Sequence, residues 1–149
     1  MLLRDFHISD LDDLLKLEAD TFPKTAFSTG TFLRYHLERA SRIRVCEDEG
    51  RLVGYVIYSV KEKPRRVYVD SIAARPSYRR RGMGQRMMDE VLHAAREVSA
   101  EKVTLHVRTT NRDAVAFYES LGFRTERTIP DYYGTDDAYL MRLELRKDV

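Results

Sequence analysis

A strand, a long amphipathic helix and a second strand follow one another between residues 66 and 108, and this order most constrains the fold. The run RVYVDSIAA at 66–74 is rich in β-branched and aromatic residues. Apolar residues recur on one face of a helix predicted from about 83 to 99, and residues 102–108 form the second strand. Such a unit has a right-handed crossover, so the two strands are predicted to be parallel neighbours.

Shorter elements flank this unit on both sides. Helices are predicted from Ser9 and from Ser28 or Thr29, and the segments 42–48 and 51–60 form a hairpin. A helix at about 112–121 ends at Gly122, and strands follow near 123–129 and 138–146. The order ααβββαβαββ predicts one domain over residues 1–149, with a mixed, mostly antiparallel sheet and helices on both faces.

Composition excludes several classes of protein. Apolar residues make up 43% and charged residues 34% of 149 positions, as in globular rather than disordered chains. Cys46 is the only cysteine, so neither an internal disulfide nor a cysteine-rich zinc site is expected. The opening MLLRDFHISD is too short an apolar stretch for a signal peptide, and no segment could span a bilayer. We therefore expect a cytoplasmic protein without a metal or a membrane partner.

The run RRRGMG at 79–84 lies between the first strand and the long helix. Its two glycines allow the backbone to approach a ligand closely, and the first N–H groups of the helix lack internal partners. These features, with the arginines beside them, predict a diphosphate site. Two alternatives are that the glycines only shape a turn or that the arginines bind RNA. Net charge is only +2 and no aromatic platform accompanies the arginines, so a specific nucleic-acid partner is not expected.

His106 interrupts an apolar strand, LHV. Alternation places Thr104, His106 and Arg108 on one face of that strand, and Tyr68 and Asp70 on one face of the strand at 66–74. If the strands are neighbours, Tyr68 and His106 point into one cleft. The alternatives are a histidine satisfied by a hydrogen bond within the sheet and a tyrosine that only packs.

Two motifs resemble those of the GNAT N-acetyltransferases. The first is R-x-x-G-x-G between a strand and a helix, and the second is Asn111 followed by AVAFYESLGF from Ala114. The resemblance implies a GNAT fold and acetyl-CoA as co-substrate. The implied coenzyme-binding residues are Ile72, Ala73, Ala74, Arg79, Arg80, Arg81, Gly82, Met83, Gly84, Gln85, Asn111 and Tyr118.

The resemblance also implies a catalytic role for Tyr118, which would protonate the departing thiolate. Asn111 and Tyr118 are seven residues apart and are predicted to share a helical face. The alternative for Tyr118 is an ordinary core aromatic residue.

Within the family, the chain is most similar to the N-terminal acetyltransferases, particularly the NatE-type catalytic subunit. Tyr68 lies fourteen residues before Gly82, as the catalytic tyrosine does there, and His106 stands in the same L-H-V strand. The chain also resembles the archaeal and bacterial ribosomal-protein alanine acetyltransferases, but the bacterial enzyme carries glutamate where His106 stands, so this resemblance is weaker at that point. The resemblance implies direct attack by an α-amine in a ternary complex, with His106 as general base and Tyr68 as a second base or a water-positioning group.

The amine class follows from basicity. An α-amine has a reference pKa near 7.7–8.0 and a lysine amine one near 10.4, so a histidine base suits the α-amine better. The alternatives are a lysine or small-amine acetyltransferase of the same fold, and a non-catalytic module that binds coenzyme A or RNA.

Substrate contacts are also implied by the resemblance. The predicted substrate-binding residues are Phe22, Pro23, Phe27, Asp70, Tyr132 and Tyr133. Asp70 and the segment KTAF at 24–27 depart from the NatE-type pattern, and we expect the Asp70 carboxylate to help seat a cationic amine or a small polar first residue. The expected partners are protein or peptide N-termini, including nascent chains at the ribosome, and the expected state is a monomer or weak dimer.

Overall fold

The computed structural model describes residues 1–79 and 81–145. Arg80, a predicted phosphate ligand, and residue 146 of the last predicted strand lie outside the described residues. The strands are β1 (Leu2–Asp5), β2 (Ser41–Asp48), β3 (Arg51–Lys61), β4 (Arg66–Ala74), β5 (Lys102–Arg108), β6 (Arg124–Ile129) and β7 (Ala138–Glu144). The α-helices are α1 (Leu11–Thr21), α2 (Thr29–Leu37), α3 (Met83–Glu97) and α4 (Arg112–Ser120).

The strands form one seven-stranded sheet in the order β1-β2-β3-β4-β5-β7-β6. β4 and β5 are parallel, with partners running from Arg66 and Lys102 to Val69 and Leu105. The pairs β1–β2, β2–β3, β5–β7 and β6–β7 are antiparallel. This arrangement confirms the predicted mixed sheet with a central parallel pair.

The amino-terminal end differs from the prediction. Residues 2–5 form β1, which the sequence analysis did not predict, and Ser9 lies in a one-turn 3₁₀ helix before α1 begins at Leu11. β1 has only four residues, too few for a visible alternation, and it pairs with residues 44–47 some forty positions away. A strand of this length depends on its non-local partner, so local sequence carries little sign of it.

By internal contacts the chain divides into two compact units, residues 1–59 with 70–93 and residues 60–69 with 94–149. The single-domain organisation stays a prediction. The first unit contains β1, β2, most of β3 and the second half of β4, together with α1, α2 and most of α3. The second unit contains the first half of β4, then β5, α4, β6 and β7.

The sheet of the first unit has helices on both faces. Tyr55 and Ile57 of β3 pack with Leu14, Leu17 and Phe32 of α1 and α2 in one buried cluster. The alternate residues of β3 face α3. A Cβ atom placed on Gly54 would lie 2.5 Å from the sulfur of the buried Met83, and the Tyr58 hydroxyl donates to Glu90 at 2.7 Å. Helices on both faces are therefore confirmed for this unit.

In the second unit, β5 separates an apolar face from a polar one. Val103, Leu105 and Val107 are buried, while His106 and Arg108 on the opposite face remain partly exposed. β5 pairs with β7 along its whole length, from Lys102 opposite Glu144 to Arg108 opposite Ala138. This register places His106 in a row with Leu140 and, one strand further, Arg127.

The close approach at Gly54 generates a stability prediction. Gly54→Ala places a methyl group against Met83 and 3.1 Å from the Ala73 carbonyl oxygen, so we expect it to cost about 1–3 kcal/mol in the free energy of unfolding. The measurement is urea unfolding of the variant beside Gly30→Ala. Gly30 lies exposed in α2 with only the Ser28 hydroxyl nearby, so its substitution is expected to stabilise by about 0.5 kcal/mol. Equal effects at the two positions would contradict this packing.

Candidate functional site

A hydrogen bond joins the two residues that the sequence placed together. The Tyr68 hydroxyl oxygen on β4 lies 2.5 Å from Nδ1 of His106 on β5. The parallel register sets Tyr68 beside Thr104, two residues from His106 on the same face, so the two rings meet diagonally across the strand pair. Tyr68 and His106 therefore form a pair of titratable side chains on the polar face of the second unit.

Tyr132 covers the other side of the imidazole. Its ring stacks on His106 with the centroids 4.4 Å apart and the planes 11° from parallel. The imidazole is partly buried, and this burial lowers the pKa of His106 below its usual 6.5. The positive charge of Arg127 lowers the pKa further. The imidazole is therefore mainly neutral near pH 7, which is the form that accepts a proton.

Behind Tyr132 lie the predicted substrate-binding residue Tyr133 and two charged residues without a predicted role, Arg108 and Asp136. Tyr133 packs edge to face on Tyr132 at 4.9 Å, and the guanidinium of Arg108 lies 4.4 Å from the centre of the Tyr133 ring. Arg108 also forms an ion pair with Asp136. Burial is the main cause that raises the pKa of Tyr133 to about 12, and the neighbouring Tyr132 acts in the same direction. The Tyr133 hydroxyl therefore stays protonated. The strand pattern put Arg108 on the face of His106, but no local signal connected it with Asp136.

Tyr118 is buried in the second unit, between aromatic neighbours. Its ring lies 5.4 Å from that of Phe117 and 5.7 Å from that of Phe123. Burial raises the pKa of the Tyr118 hydroxyl above its ordinary value of 10, so the group keeps its proton at any physiological pH. These contacts fit the core role that the sequence left open, and the retained proton fits the role of an acid.

Asn111 occupies a different position from the predicted one. It is the N-cap of α4 with non-helical backbone angles, and its side-chain oxygen accepts from the Ala114 N–H at 3.3 Å. The prediction that Asn111 and Tyr118 share a helical face is therefore wrong, because Asn111 precedes the helix. Asparagine is a preferred capping residue, which accounts for its place before this helix. Contact of Asn111 with the coenzyme stays a prediction.

The glycine-containing loop of the first unit has the geometry that a diphosphate requires. Gly82 has a φ of +80°, and a Cβ atom there would meet nothing within 4 Å, so the backbone is open on that side. α3 begins at the next residue, and the Met83 side chain is turned into the core. The first backbone N–H groups of α3, at Met83, Gly84 and Gln85, thus have no partner within the helix. The residues present fit a pyrophosphate group.

The arginines around this loop have several different contacts. Arg79 donates to the Ala74 carbonyl at 3.1 Å, and the Arg81 guanidinium lies 4.7 Å from the centre of the Tyr78 ring. Arg75 and Arg86 donate to backbone carbonyls of Leu52 and Met1, at 2.9 and 3.0 Å. Part of the arginine cluster therefore braces the first unit, and Arg79 and Arg81, both exposed, stand next to Gly82.

The segment between α1 and α2 contains Phe22, Pro23 and Phe27 and is held by a carboxylate that the sequence analysis missed. Glu18 of α1 is only 1% exposed. One of its oxygens accepts from the Phe27 N–H at 2.9 Å, and the other accepts from the Tyr55 hydroxyl and from Ser71 Oγ at 3.1 Å. Glu18 follows Leu11 and Leu14 at helical spacing and lies on the apolar face of α1, but its hydrogen-bond partners are visible only in the tertiary structure.

Asp70 lies in the first unit with two hydroxyl neighbours. Ser59 Oγ donates to its carboxylate at 2.6 Å. The Tyr35 hydroxyl also bonds to Asp70, and burial together with this negative charge raises the pKa of Tyr35 to about 12. A role of Asp70 in seating the first residue of a substrate therefore has to coexist with these two bonds.

Residues 1–79 and 81–145 contain neither a cluster of metal-binding side chains nor a membrane-spanning helix. No group of three or more His, Cys, Asp or Glu side chains is arranged to hold a metal ion. In the same residues, no helix is long and apolar enough to cross a membrane.

Comparison with known proteins places the chain in one family. The model of the acetyltransferase (GNAT) family matches residues 11–123. The N-alpha-acetyltransferase of Sulfurisphaera tokodaii is 31% identical over 96% of this chain and 92% of that protein. The N-terminal acetyltransferase complex ARD1 subunit homolog of Dictyostelium discoideum is 33% identical over 99% of this chain and 74% of that protein.

A solved structure has closely similar coordinates. Naa20 of Chaetomium thermophilum, crystallised with a bisubstrate analogue, superposes with a TM-score of 0.88 and 29% identity. The match covers 97% of this chain and 86% of that one.

Glu18 generates the prediction for this part of the molecule. Glu18→Ala leaves the Phe27 N–H and two buried hydroxyl groups without their acceptor, so we expect a cost of about 3 kcal/mol in the free energy of unfolding. Asp20→Ala, an exposed change on the same helix, is the matched control, and we expect it to cost less than about 0.5 kcal/mol. Urea unfolding measures both, and a similar small cost for each would show that Glu18 does not brace this loop.

Proposed function

The chain belongs to the acetyltransferase (GNAT) family, and from this premise we propose that it transfers acetyl from acetyl-CoA to the α-amino group of protein N-termini. Family membership confirms the predicted fold, the class of enzyme and acetyl-CoA as co-substrate. The observation that carries the proposal is the bond between Tyr68 and His106. It supplies a neutral base of the strength that α-amine chemistry requires.

Acetyl-CoA supplies an activated acetyl group that a neutral amine can attack. For its binding we propose the backbone of residues 72–74 for the thioester and pantetheine arm. Gly82, Met83, Gly84 and Gln85, with Arg79 and Arg81, would hold the pyrophosphate through N–H groups and charge. The open side of Gly82 and the inward-turned side chain of Met83 support this assignment. Asn111 is proposed as a further contact, through the part of its amide that does not cap α4.

His106 is proposed as the general base. With its Nδ1–H donating to the Tyr68 oxygen, Nε2 carries the lone pair and can take a proton from the amine through a water molecule. Tyr68 keeps its own hydroxyl proton in that arrangement and can hold the water. Peptide and acetyl-CoA would bind together, and the amine would attack the acetyl carbon directly once it is neutral.

Tyr118 is proposed as the acid that returns a proton to the departing thiolate. A phenol is suited to this task only if it is protonated beforehand, and burial raises the pKa of Tyr118. A thiolate formed in a site of low polarity is a stronger base than in water, and this offsets the weaker acidity of the buried phenol.

The peptide end is proposed to contact two segments. Phe22, Pro23 and Phe27 precede α2, where Glu18 holds the Phe27 backbone. Tyr132 and Tyr133 lie between β6 and β7, next to His106. Asp70 would contribute through the hydroxyl groups bonded to it.

Two considerations favour the α-amine over a lysine side chain. Relatives that share 31% and 33% identity are named as N-terminal acetyltransferases. About a tenth of α-amines are neutral near pH 7, against well under a thousandth of lysine amines. A base whose pKa is below 6.5 is therefore better matched to the α-amine, which loses its proton more readily.

A base at His106 predicts a specific kinetic change. His106→Ala is expected to lower kcat about 10²–10⁴-fold with little effect on the KM for acetyl-CoA, because the base acts only in the chemical step. In the wild type, activity is expected to fall as the pH drops through a value below 6.5, where the imidazole becomes protonated. The control is His93→Ala on the exposed side of α3, for which kcat is expected to stay unchanged. An unaltered kcat in His106→Ala would leave His106 a structural residue.

A matched set of peptides tests the substrate class. Each sequence is made with a free α-amine and with an acetyl-blocked one, and each contains one internal lysine. We expect coenzyme A release and a single mass increase of one acetyl group only with the free peptides. Acetylation of blocked peptides at lysine would establish the side-chain activity instead, and no release with any amine would indicate a binding module.

A further inference from the structure

We propose that Arg108 and Asp136 are positioning residues, which hold Tyr132 against His106 and thereby keep the imidazole covered. This inference rests on the proposed role of His106 as the base. It extends that role to two charged side chains of β5 and of the loop between β6 and β7.

Arg108 connects the strand of the base with this loop. It lies two residues after His106 on the same face of β5. Its guanidinium forms an ion pair with Asp136, and both side chains are mostly buried, at 18% and 28% exposure. The same guanidinium lies over the ring of Tyr133. A partly buried ion pair combined with a cation–π contact resists screening better than an exposed pair does.

The loop that carries Tyr132 is a turn closed by its own hydrogen bonds. The Tyr133 N–H donates to the Asp136 carbonyl at 3.0 Å, and the Gly134 N–H to the Asp131 carbonyl at 3.1 Å. The Asp131 N–H donates to the Asp137 carboxylate at 2.9 Å. These bonds fix the conformation of the loop, and the ion pair between Arg108 and Asp136 connects the loop to β5.

The series of contacts that begins at Arg108 ends at the imidazole of His106. Tyr133 packs edge to face on Tyr132, and Tyr132 stacks in parallel on the imidazole. Tyr132 is itself 45% exposed, so core packing alone does not account for its place. Releasing Arg108 from Asp136 is expected to loosen this stack and admit water to the ring of His106.

Exposure of the imidazole to water is expected to raise the pKa of His106. Burial is the main cause that lowers the pKa of His106, so uncovering the ring raises that pKa towards 6.5. The charged and titratable groups around His106 come from four strands and one loop. They are Tyr68 of β4, Arg108 of β5, Arg127 of β6, Arg142 of β7, whose guanidinium is bonded to Glu144, and Tyr132 of the loop.

The signs of two substitutions separate positioning from a direct effect of charge. Arg108→Gln removes a positive charge, which by itself raises the pKa of His106. Asp136→Asn removes a negative charge, which by itself lowers it. If the ion pair holds the cover in place, both substitutions raise the pKa. If the two side chains act only through their charges, the pKa moves in opposite directions.

The experiment is an NMR titration of the imidazole groups in the full chain. The chain has four histidines, and His106→Gln assigns the signal of His106 while the other three serve as internal controls for folding. We expect an upward shift in Arg108→Gln, Asp136→Asn and Tyr132→Ala, and none in Tyr132→Phe, which keeps the stacked ring. Opposite shifts in the two charge variants, or a His106 pKa in Tyr132→Ala that stays at its wild-type value, would overturn the proposal.

An activity measurement accompanies the titration. With a peptide bearing a free α-amine, the acidic limb of kcat/KM is expected to move to higher pH in the same three variants. A wild type that acetylates no peptide would refute the proposed function while the titration still decides whether the pair holds the cover. An active wild type whose variants keep the original acidic limb would refute the positioning role alone.

Discussion

The parallel pairing of β4 with β5 is the constraint on which the site depends. The two strands run in the same direction, so they require a crossover connection, which α3 provides. The register places Tyr68 beside Thr104, which lies two residues before His106 on the same face of β5. At this offset the Tyr68 hydroxyl reaches Nδ1 of His106. A slip of one residue would turn one of the two side chains into the apolar face and separate them.

In the second unit, the pKa of His106 is lowered and the pKa values of two tyrosines are raised. Burial holds His106 neutral as an acceptor, and it holds Tyr118 and Tyr133 protonated as donors. The same physical cause therefore produces a neutral imidazole on β5 and protonated phenols on α4 and in the loop between β6 and β7, because desolvation penalises the charged form of each group. The first unit contributes a different chemistry, in which open backbone at Gly82 and the start of α3 suit an anion.

Aromatic side chains connect function with stability in both units. In the first, Phe27 packs edge to face on Phe32, and its backbone is held by the buried carboxylate of Glu18. In the second, Tyr132 and Tyr133 bridge from Arg108 to the imidazole. Segments expected to meet the peptide are thus braced by interactions that a folded, unliganded chain already makes, which limits the ordering that binding requires.

The sequence by itself determined the elements with strong periodicity and, through its motifs, the family. β4 and β5 were predicted to the residue because their alternation is local, and the two glycine and asparagine motifs indicated the family. Tertiary structure alone decided the pairing of β1, the hydrogen-bond partners of Glu18, the capping role of Asn111 and the ion pair of Arg108 with Asp136. Three of these depend on partners from 28 to 53 residues away, which no local pattern contains. Asn111 was missed for a different reason, since a cap and a first helical residue differ only in backbone angles.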